Sequence, residues 1–275
     1  MRLRVEGRPA YVYTGGRTSA AGQPTVLFVH GAGNDHSVWL LQSRYFAHHG
    51  WNVLAPDLPG HGQSEGPPLA SVEALAAWLR CLLDARGVAG ALVVGHSMGS
   101  LAALALAAGS PAQVGRLALI GTAMPMMVSD TLLAAARDEE ERARRMIVDW
   151  SFAPSSHLGN AQKVPSQWLP GLALALMRRQ PAGVLATDLA ACHAYADGLA
   201  AAERTQAPAL VIIGERDLMT PPKAAQAVCA ALRARTATTQ MAPLTVEHLP
   251  EAGHSMLSEA PDAVLAVLWR FANTG

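Results

Sequence analysis

Short apolar runs alternate along the chain with stretches of helical period. Pro9, Ala10, Tyr11, Val12 and Tyr13 alternate in polarity, which predicts an early antiparallel strand. Thr25–Val29 is continuously apolar, the pattern of a strand buried on both faces. Further strands are predicted at Trp51–Ala55, Ala91–Val94, Arg116–Ile120, Ala209–Ile213 and Leu244–Leu249. Helices are predicted over Val38–His49, over Ser71–Arg86, through Leu101–Leu106, and over Pro261–Asn273, where Val264, Leu265, Leu268 and Phe271 share one face. Strands that alternate with helices imply a mostly parallel, twisted sheet covered on both sides, an α/β architecture.

The interval from Met124 to Glu203 breaks this alternation. It carries helical patterning and no convincing strand, and Pro165, Pro170, Gly171 and Pro181 punctuate it. Asp138, Glu140 and Glu141 stand four residues ahead of Arg142, Arg144 and Arg145, a spacing that supports a solvated helix face. The predicted organisation is a sheet domain built from residues 1–123 and 204–275, with residues 124–203 inserted as a helical cap.

Composition narrows the possible functions. A chain of 275 residues, 51% of them apolar, suffices for one large core with an insertion. Lys+Arg and Asp+Glu each number 21, and no basic run stands out, which argues against nucleic acid as a partner. Cys81, Cys192 and Cys229 form neither a metal-ligand spacing nor an even disulfide set, so no metal and no cofactor is expected. The start of the chain lacks the apolar core of a signal peptide, and no run is long enough to span a membrane. The expectation is a cytoplasmic protein, monomeric or homodimeric, acting on a small molecule. Its many alanines and its preference for arginine over lysine suggest a bacterial source.

The candidate chemistry lies in Gly95-His96-Ser97-Met98-Gly99, set between the apolar run Ala91–Val94 and the helical run from Leu101. A chain of this length carries G-x-S-x-G by chance about one time in ten, so the context decides. Strand, tight turn and helix together make a nucleophile elbow, in which flanking glycines leave room for a sharp turn that lifts the serine above the sheet edge. A second copy, Gly62-Gln63-Ser64-Glu65-Gly66, runs into Pro67 and Pro68 and reads as a loop.

A serine hydroxyl needs a base, and the base needs an oriented carboxylate. Strand Ala209–Ile213 leads into Gly214-Glu215-Arg216-Asp217, at the sheet edge that parallel strands share with the elbow. Asp217 is the predicted acid, with Glu215 as the alternative. Of the ten histidines, His254 alone combines a glycine-preceded loop with a position after the last strand. His30, His36 and His61 read as loop residues, and His48 and His49 as a solvated helix end. His248 reads as a strand residue, and His157 and His193 belong to the cap. His96 is part of the elbow, with its ring turned from Ser97. His30-Gly31-Ala32-Gly33 follows the strand ending at Val29, and the backbone N–H groups of Ala32 and Met98 are the predicted oxyanion donors.

These segments, together with Asp57-Leu58-Pro59-Gly60-His61-Gly62-Gln63-Ser64, resemble the α/β-hydrolase superfamily in content and in the order Ser97, Asp217, His254. The resemblance covers residues 25 to 271 and implies the α/β-hydrolase fold, with the cap as its variable part. Ser100 departs from it, because many relatives carry a second glycine there. Relatives that use aspartate at the elbow, the haloalkane dehalogenases and epoxide hydrolases, are set aside by Ser97. The resemblance implies acyl chemistry: hydrolysis of a carboxylic ester, lactone or thioester of a small, largely apolar substrate.

Met124, Trp150, Phe152, Trp168 and Met177 are the candidate pocket residues in the cap. The alternative is carbon–carbon hydrolysis of diketone ring-fission products, for which Arg178 or Arg179 would hold a substrate carboxylate. Relatives of that type favour asparagine near the oxyanion loop and a different residue where this chain has His96. A third reading is a slow-turnover ligand sensor on the same fold.

Overall fold

A computed structural model describes residues 1–157, 168–238 and 244–274. Its first half runs β1 (Arg2–Val5), β2 (Arg8–Tyr13), β3 (Thr25–Val29), α1 (Leu40–His48), β4 (Asn52–Pro56), α2 (Val72–Ala85), β5 (Ala91–His96), α3 (Met98–Gly109) and β6 (Val114–Ile120). The helices α4 (Asp130–Asp138), α5 (Glu140–Ser151), α6 (Pro154–His157), α7 (Leu169–Arg178), α8 (Val184–Ala194) and α9 (Gly198–Arg204) follow without an intervening strand among the described residues. The chain then closes with β7 (Ala209–Gly214), α10 (Gln226–Thr238), β8 (Leu244–Leu249), α11 (Met256–Glu259) and α12 (Pro261–Asn273).

The strands form one eight-stranded sheet in the order β1-β2-β4-β3-β5-β6-β7-β8. The pairings of β1 with β2 and of β2 with β4 are antiparallel, and every pairing from β4 to β8 is parallel. The apolar runs explain this. A central strand is buried on both faces, so successive residues enter opposite cores. In β3, Leu27 and Val29 pack with α2 and α3, whereas Val26 and Phe28 face the side covered by α1 and α12. Phe28 stacks on Trp39 and meets Phe46 edge-on, which fixes α1 against the sheet.

Local signals set the helix boundaries. The Ser71 hydroxyl accepts the Ala74 N–H and starts α2. The helix expected over Val38–His49 is divided: Asp35 caps a 3₁₀ turn at His36–Trp39, and α1 begins after it. Strand β1 and helix α10 add to the predicted elements. β1 has four residues, of which Val5 alone is buried, so it carries almost no apolar signal.

The last inserted helix packs chiefly on the sheet domain. Ala201 and Ala202 of α9 join the core cluster that contains α3, whereas Leu132, Ala143, Leu185 and Leu189 of α4, α5 and α8 form a cluster of their own. Among the described residues no helix is long and apolar enough to cross a membrane.

Candidate active site

The turn between β5 and α3 bends at Ser97, whose φ of 54° and ψ of −123° lie where a residue with a Cβ is rarely found. Backbone bonds hold this strained residue in place. The Ser97 N–H donates to the Ile120 carbonyl at 2.9 Å, and the Ser97 carbonyl accepts the Ser100 N–H at 2.8 Å. The Ser100 hydroxyl donates to the same carbonyl at 2.6 Å, so the departure from glycine at this position adds a bond to the turn.

The flanking glycines have no spare room. A Cβ on Gly95 would lie 2.1 Å from the Gly99 carbonyl oxygen, and one on Gly99 would lie 2.3 Å from the Val29 carbonyl oxygen. Both neighbours are backbone and cannot swing aside. Gly95→Ala should therefore destabilise the protein by about 3 kcal/mol, the upper range of overpacking. Gly109→Ala, where a Cβ meets nothing within 4 Å, should be neutral or stabilising. Urea midpoints for the two variants, compared with the parent, test this pair of expectations.

The predicted acid and base lie after the ends of β7 and β8. Asp217 Oδ1 accepts the N–H groups of Met219 at 2.8 Å and Thr220 at 2.7 Å. Asp217 Oδ2 accepts the Thr220 hydroxyl at 2.7 Å and faces His254 Nδ1 at 2.8 Å. Burial pushes the Asp217 carboxyl up, but the His254 ring and the Thr220 donors outweigh it and hold it below the usual carboxylate range. An ionised Asp217 can only accept, so His254 Nδ1 carries the proton and Nε2 is left as the basic nitrogen. Glu215, the alternative acid, instead meets His248 Nδ1 on the exposed side of β8.

His96 is closer to the chemistry than its place in the elbow suggested. Its Nε2 lies 2.9 Å from the His254 carbonyl and its ring centroid 4.9 Å from that of His254. A carbonyl only accepts, so His96 Nε2 carries the proton. Burial drives the His96 pKa down to about 3, so the ring stays neutral near pH 7. His96 had no sequence signal for this role, because its partner lies 158 residues away, whereas Thr220 turns back on Asp217 from three residues along the same loop.

Gly31 brings the loop of the predicted oxyanion donor against the serine: a Cβ placed on it would be 3.1 Å from Ser97 Cβ. Ala32 follows and lines the cavity over Ser97. Met98 is the first residue of α3, so its N–H has no acceptor within the helix, while its side chain is buried in the core.

Ser97 and His254 open onto a cavity of about 400 Å³, within the range of small-molecule pockets. Trp150, Phe152 and Met177 form part of its wall, and no Asp, Glu, Lys or Arg is among its described lining residues. Two expected pocket residues lie elsewhere. Met124 is buried in the core against Gly198, and Trp168 is 64% exposed with its ring over Gly171. Asn34, not singled out from the sequence, does line the cavity beside Ala32. Arg178 pairs with Glu141 and Arg179 with Asp35, and neither reaches the cavity.

Other chemistry-bearing groups among the described residues are engaged in structure. Cys192 touches the cavity, but burial pushes its thiol far up, so it carries no thiolate. Asp35, His36 and Asp57 present atoms within 4.8 Å of one another. Their carboxylates are already satisfied, Asp35 by Ser37, Arg179 and Gln180, and Asp57 by His36 and Gln63.

A serine in a strained strand-to-helix turn, at the centre of a mostly parallel sheet, is the arrangement found in hydrolases that use an elbow nucleophile. A sequence profile described as alpha/beta hydrolase fold matches residues 24–261, and the chain belongs to that family. The chain is 33% identical over 146 residues to Lipase LipV of Mycobacterium tuberculosis, a match covering 49% of this chain and 54% of that protein. It is 35% identical over 108 residues to a 2-hydroxy-6-oxononadienedioate/2-hydroxy-6-oxononatrienedioate hydrolase of Paraburkholderia phymatum, covering 38% of each. The chain thus spans about half or less of the curated relatives it matches. Among solved structures, the enol-lactonase from Burkholderia xenovorans LB400 superposes over the full length of both chains with a TM-score of 0.84 at 24% identity.

Proposed function

We propose that the protein is a serine hydrolase that cleaves a carboxylic ester, lactone or thioester of a small, largely apolar substrate through an acyl-enzyme. The observation that carries this reading is the 2.8 Å Asp217–His254 pair opening on the same uncharged cavity as Ser97. Residues 124–203 act in this reading as the cap that supplies the acyl wall.

In the first step His254 Nε2 takes the Ser97 hydroxyl proton as Oγ attacks the carbonyl carbon. The Ala32 and Met98 N–H groups receive the oxyanion, and Asp217 stabilises the imidazolium. The carbon–oxygen bond to the alcohol then breaks, and His254 returns the proton to the leaving oxygen. Water, activated by the same ring, attacks the acyl-enzyme, releases the acid and restores Ser97.

The test is a p-nitrophenyl ester series of increasing acyl length. Each buried methylene is worth about 0.8 kcal/mol, so kcat/KM should rise about fourfold per added carbon until the cavity is full, then fall. Met177→Ala, which opens the wall, should move that fall to longer acyl chains. A flat profile in both proteins would remove the acyl role from this cavity.

A second reading has Asn34 and the ring-fission hydrolase relative in its favour: carbon–carbon cleavage at the same serine. Arg178 and Arg179 are paired away from the cavity, which counts against an anionic substrate held by either. Fluorophosphonate labelling of Ser97 without ester turnover would move the assignment to carbon–carbon cleavage, or to a sensor turning over far below about 10 s⁻¹.

A further inference from the structure

We propose that Asp188 of α8 is a positioning residue for the oxyanion loop: its buried carboxylate anchors the Gly33 N–H and so fixes Ala32 beside Ser97. This rests on the reading of Ala32 as an oxyanion donor. Asp188 lies 155 residues from Gly33 in sequence, yet its Oδ2 accepts the Gly33 N–H at 2.8 Å. The same oxygen lies 2.8 Å from His61 Nε2, and His61 Nδ1 lies 3.0 Å from the Pro59 carbonyl. With acceptors on both sides, both ring nitrogens donate and His61 is an imidazolium.

Burial disfavours that charge, but the Asp188 carboxylate, the Pro59 carbonyl and Asp57 outweigh burial and raise the His61 pKa. His30, its ring centroid 4.9 Å away, is the other titratable group against His61, and burial holds it down at about 4 and hence neutral.

The loop needs this anchor for a physical reason. Gly33 has a φ of +64°, and Gly31 and Gly33 flank Ala32 without side chains to pack. A Cβ on Gly33 would lie 3.1 Å from Leu185 Cδ1 of α8, so the helix bearing Asp188 lies directly against the loop. Asp188 is 1% exposed and does not line the cavity, so it acts through the loop and not on substrate. A buried ion pair gains little stability over well-packed apolar groups, so positioning is the role its geometry favours.

The experiment measures Ser97 phosphonylation by a fluorophosphonate together with steady-state ester hydrolysis. In phosphonylation the Oγ–P bond forms, the P–F bond breaks, fluoride leaves, and His254 takes the hydroxyl proton. The phosphoryl oxygen enters the oxyanion hole, so the labelling rate reads the loop whether or not an ester is the natural substrate.

Complete loss of an oxyanion donor lowers kcat by about 10²–10³, so a loosened loop in Asp188→Ala should lower kcat and labelling about 30-fold, with KM within about twofold. Asp188→Asn should restore both to within about threefold of the parent, because its amide oxygen, kept in the place of Oδ2, still accepts from the Gly33 N–H and from the Nε2–H of a neutral His61. A folded Asp188→Ala that labels at the parent rate overturns the proposal. So does a rate loss expressed only in KM.

If Asp188→Ala does not fold, Asp188→Glu carries the test. It keeps a charge for His61 but displaces the carboxylate by one methylene, and labelling slowed at least tenfold is expected, about the shift that misplacement of a catalytic donor brings. Parent-rate labelling by the Glu variant, or loss of folding in both, overturns the proposal. A parent protein that does not label at all refutes the serine nucleophile itself, a result distinct from every variant outcome.

Discussion

Replacing Ser97 with alanine should lower kcat on the best ester by about 10⁶, the scale seen when a serine-protease triad loses its nucleophile, and should leave the thermal midpoint within a few degrees of the parent. Chemistry is lost because the hydroxyl assigned to form the acyl-enzyme is gone. The fold survives because the turn at residue 97 is held by main-chain bonds to Ile120 and Ser100, which alanine keeps. Alanine has the same Cβ as serine, so the unusual φ is no worse tolerated. Residual rate should come from the oxyanion donors and binding alone. Circular dichroism and a burst assay on the same preparation check both halves. Activity retained within tenfold would transfer the nucleophile to another cavity hydroxyl, such as Thr220, Ser151 or Ser255, and would end the assignment of Ser97.

The sequence displayed the strands well because a parallel sheet buried on both faces needs continuous apolar runs, and those runs end where Ser97 and Asp217 begin. It displayed His254 through a glycine and its place after the last strand. What it did not display is coupling over long separations. His96 reaches the His254 carbonyl across 158 residues, and Glu259 accepts the Gly253 N–H while also holding Ala153 and Ser156 of the inserted segment. Asp188 carries no such signal in the sequence, although its carboxylate is buried against His61 and Gly33. The expected pocket failed at Met124 and Trp168 for a related reason. Apolar residues in the inserted helices face the cavity, the core or solvent, and their period alone does not say which. Trp150, Phe152 and Met177 face the cavity; Met124 faces α9 and Trp168 faces outward.

Asp217→Asn should cost about 10⁴ in kcat, by the reasoning that applies to a serine-protease acid, and the hydrogen bonds explain why an amide of the same shape fails. The two backbone N–H groups of Met219 and Thr220 both donate to Oδ1. In the variant that position must be the amide oxygen, since an amide nitrogen there would oppose two donors. The NH₂ is then forced into the place of Oδ2, against His254 Nδ1. It donates to that nitrogen, the ring proton moves to Nε2, and the base can no longer take the Ser97 proton.

Stability should respond with a defined sign. The Asp217 carboxyl titrates lower when folded than its ordinary value near about 4, so its ionisation adds stability above that pH, and this is lost as pH falls through the folded value. The unfolding free-energy gap between parent and Asp217→Asn should therefore be widest near neutral pH and narrow below about pH 4. Denaturant titrations at several pH values, with kcat beside them, measure both effects. A variant within tenfold of the parent in kcat would remove Asp217 from the triad, and Glu215, paired with His248 at the surface, could not replace it without rebuilding the end of β7.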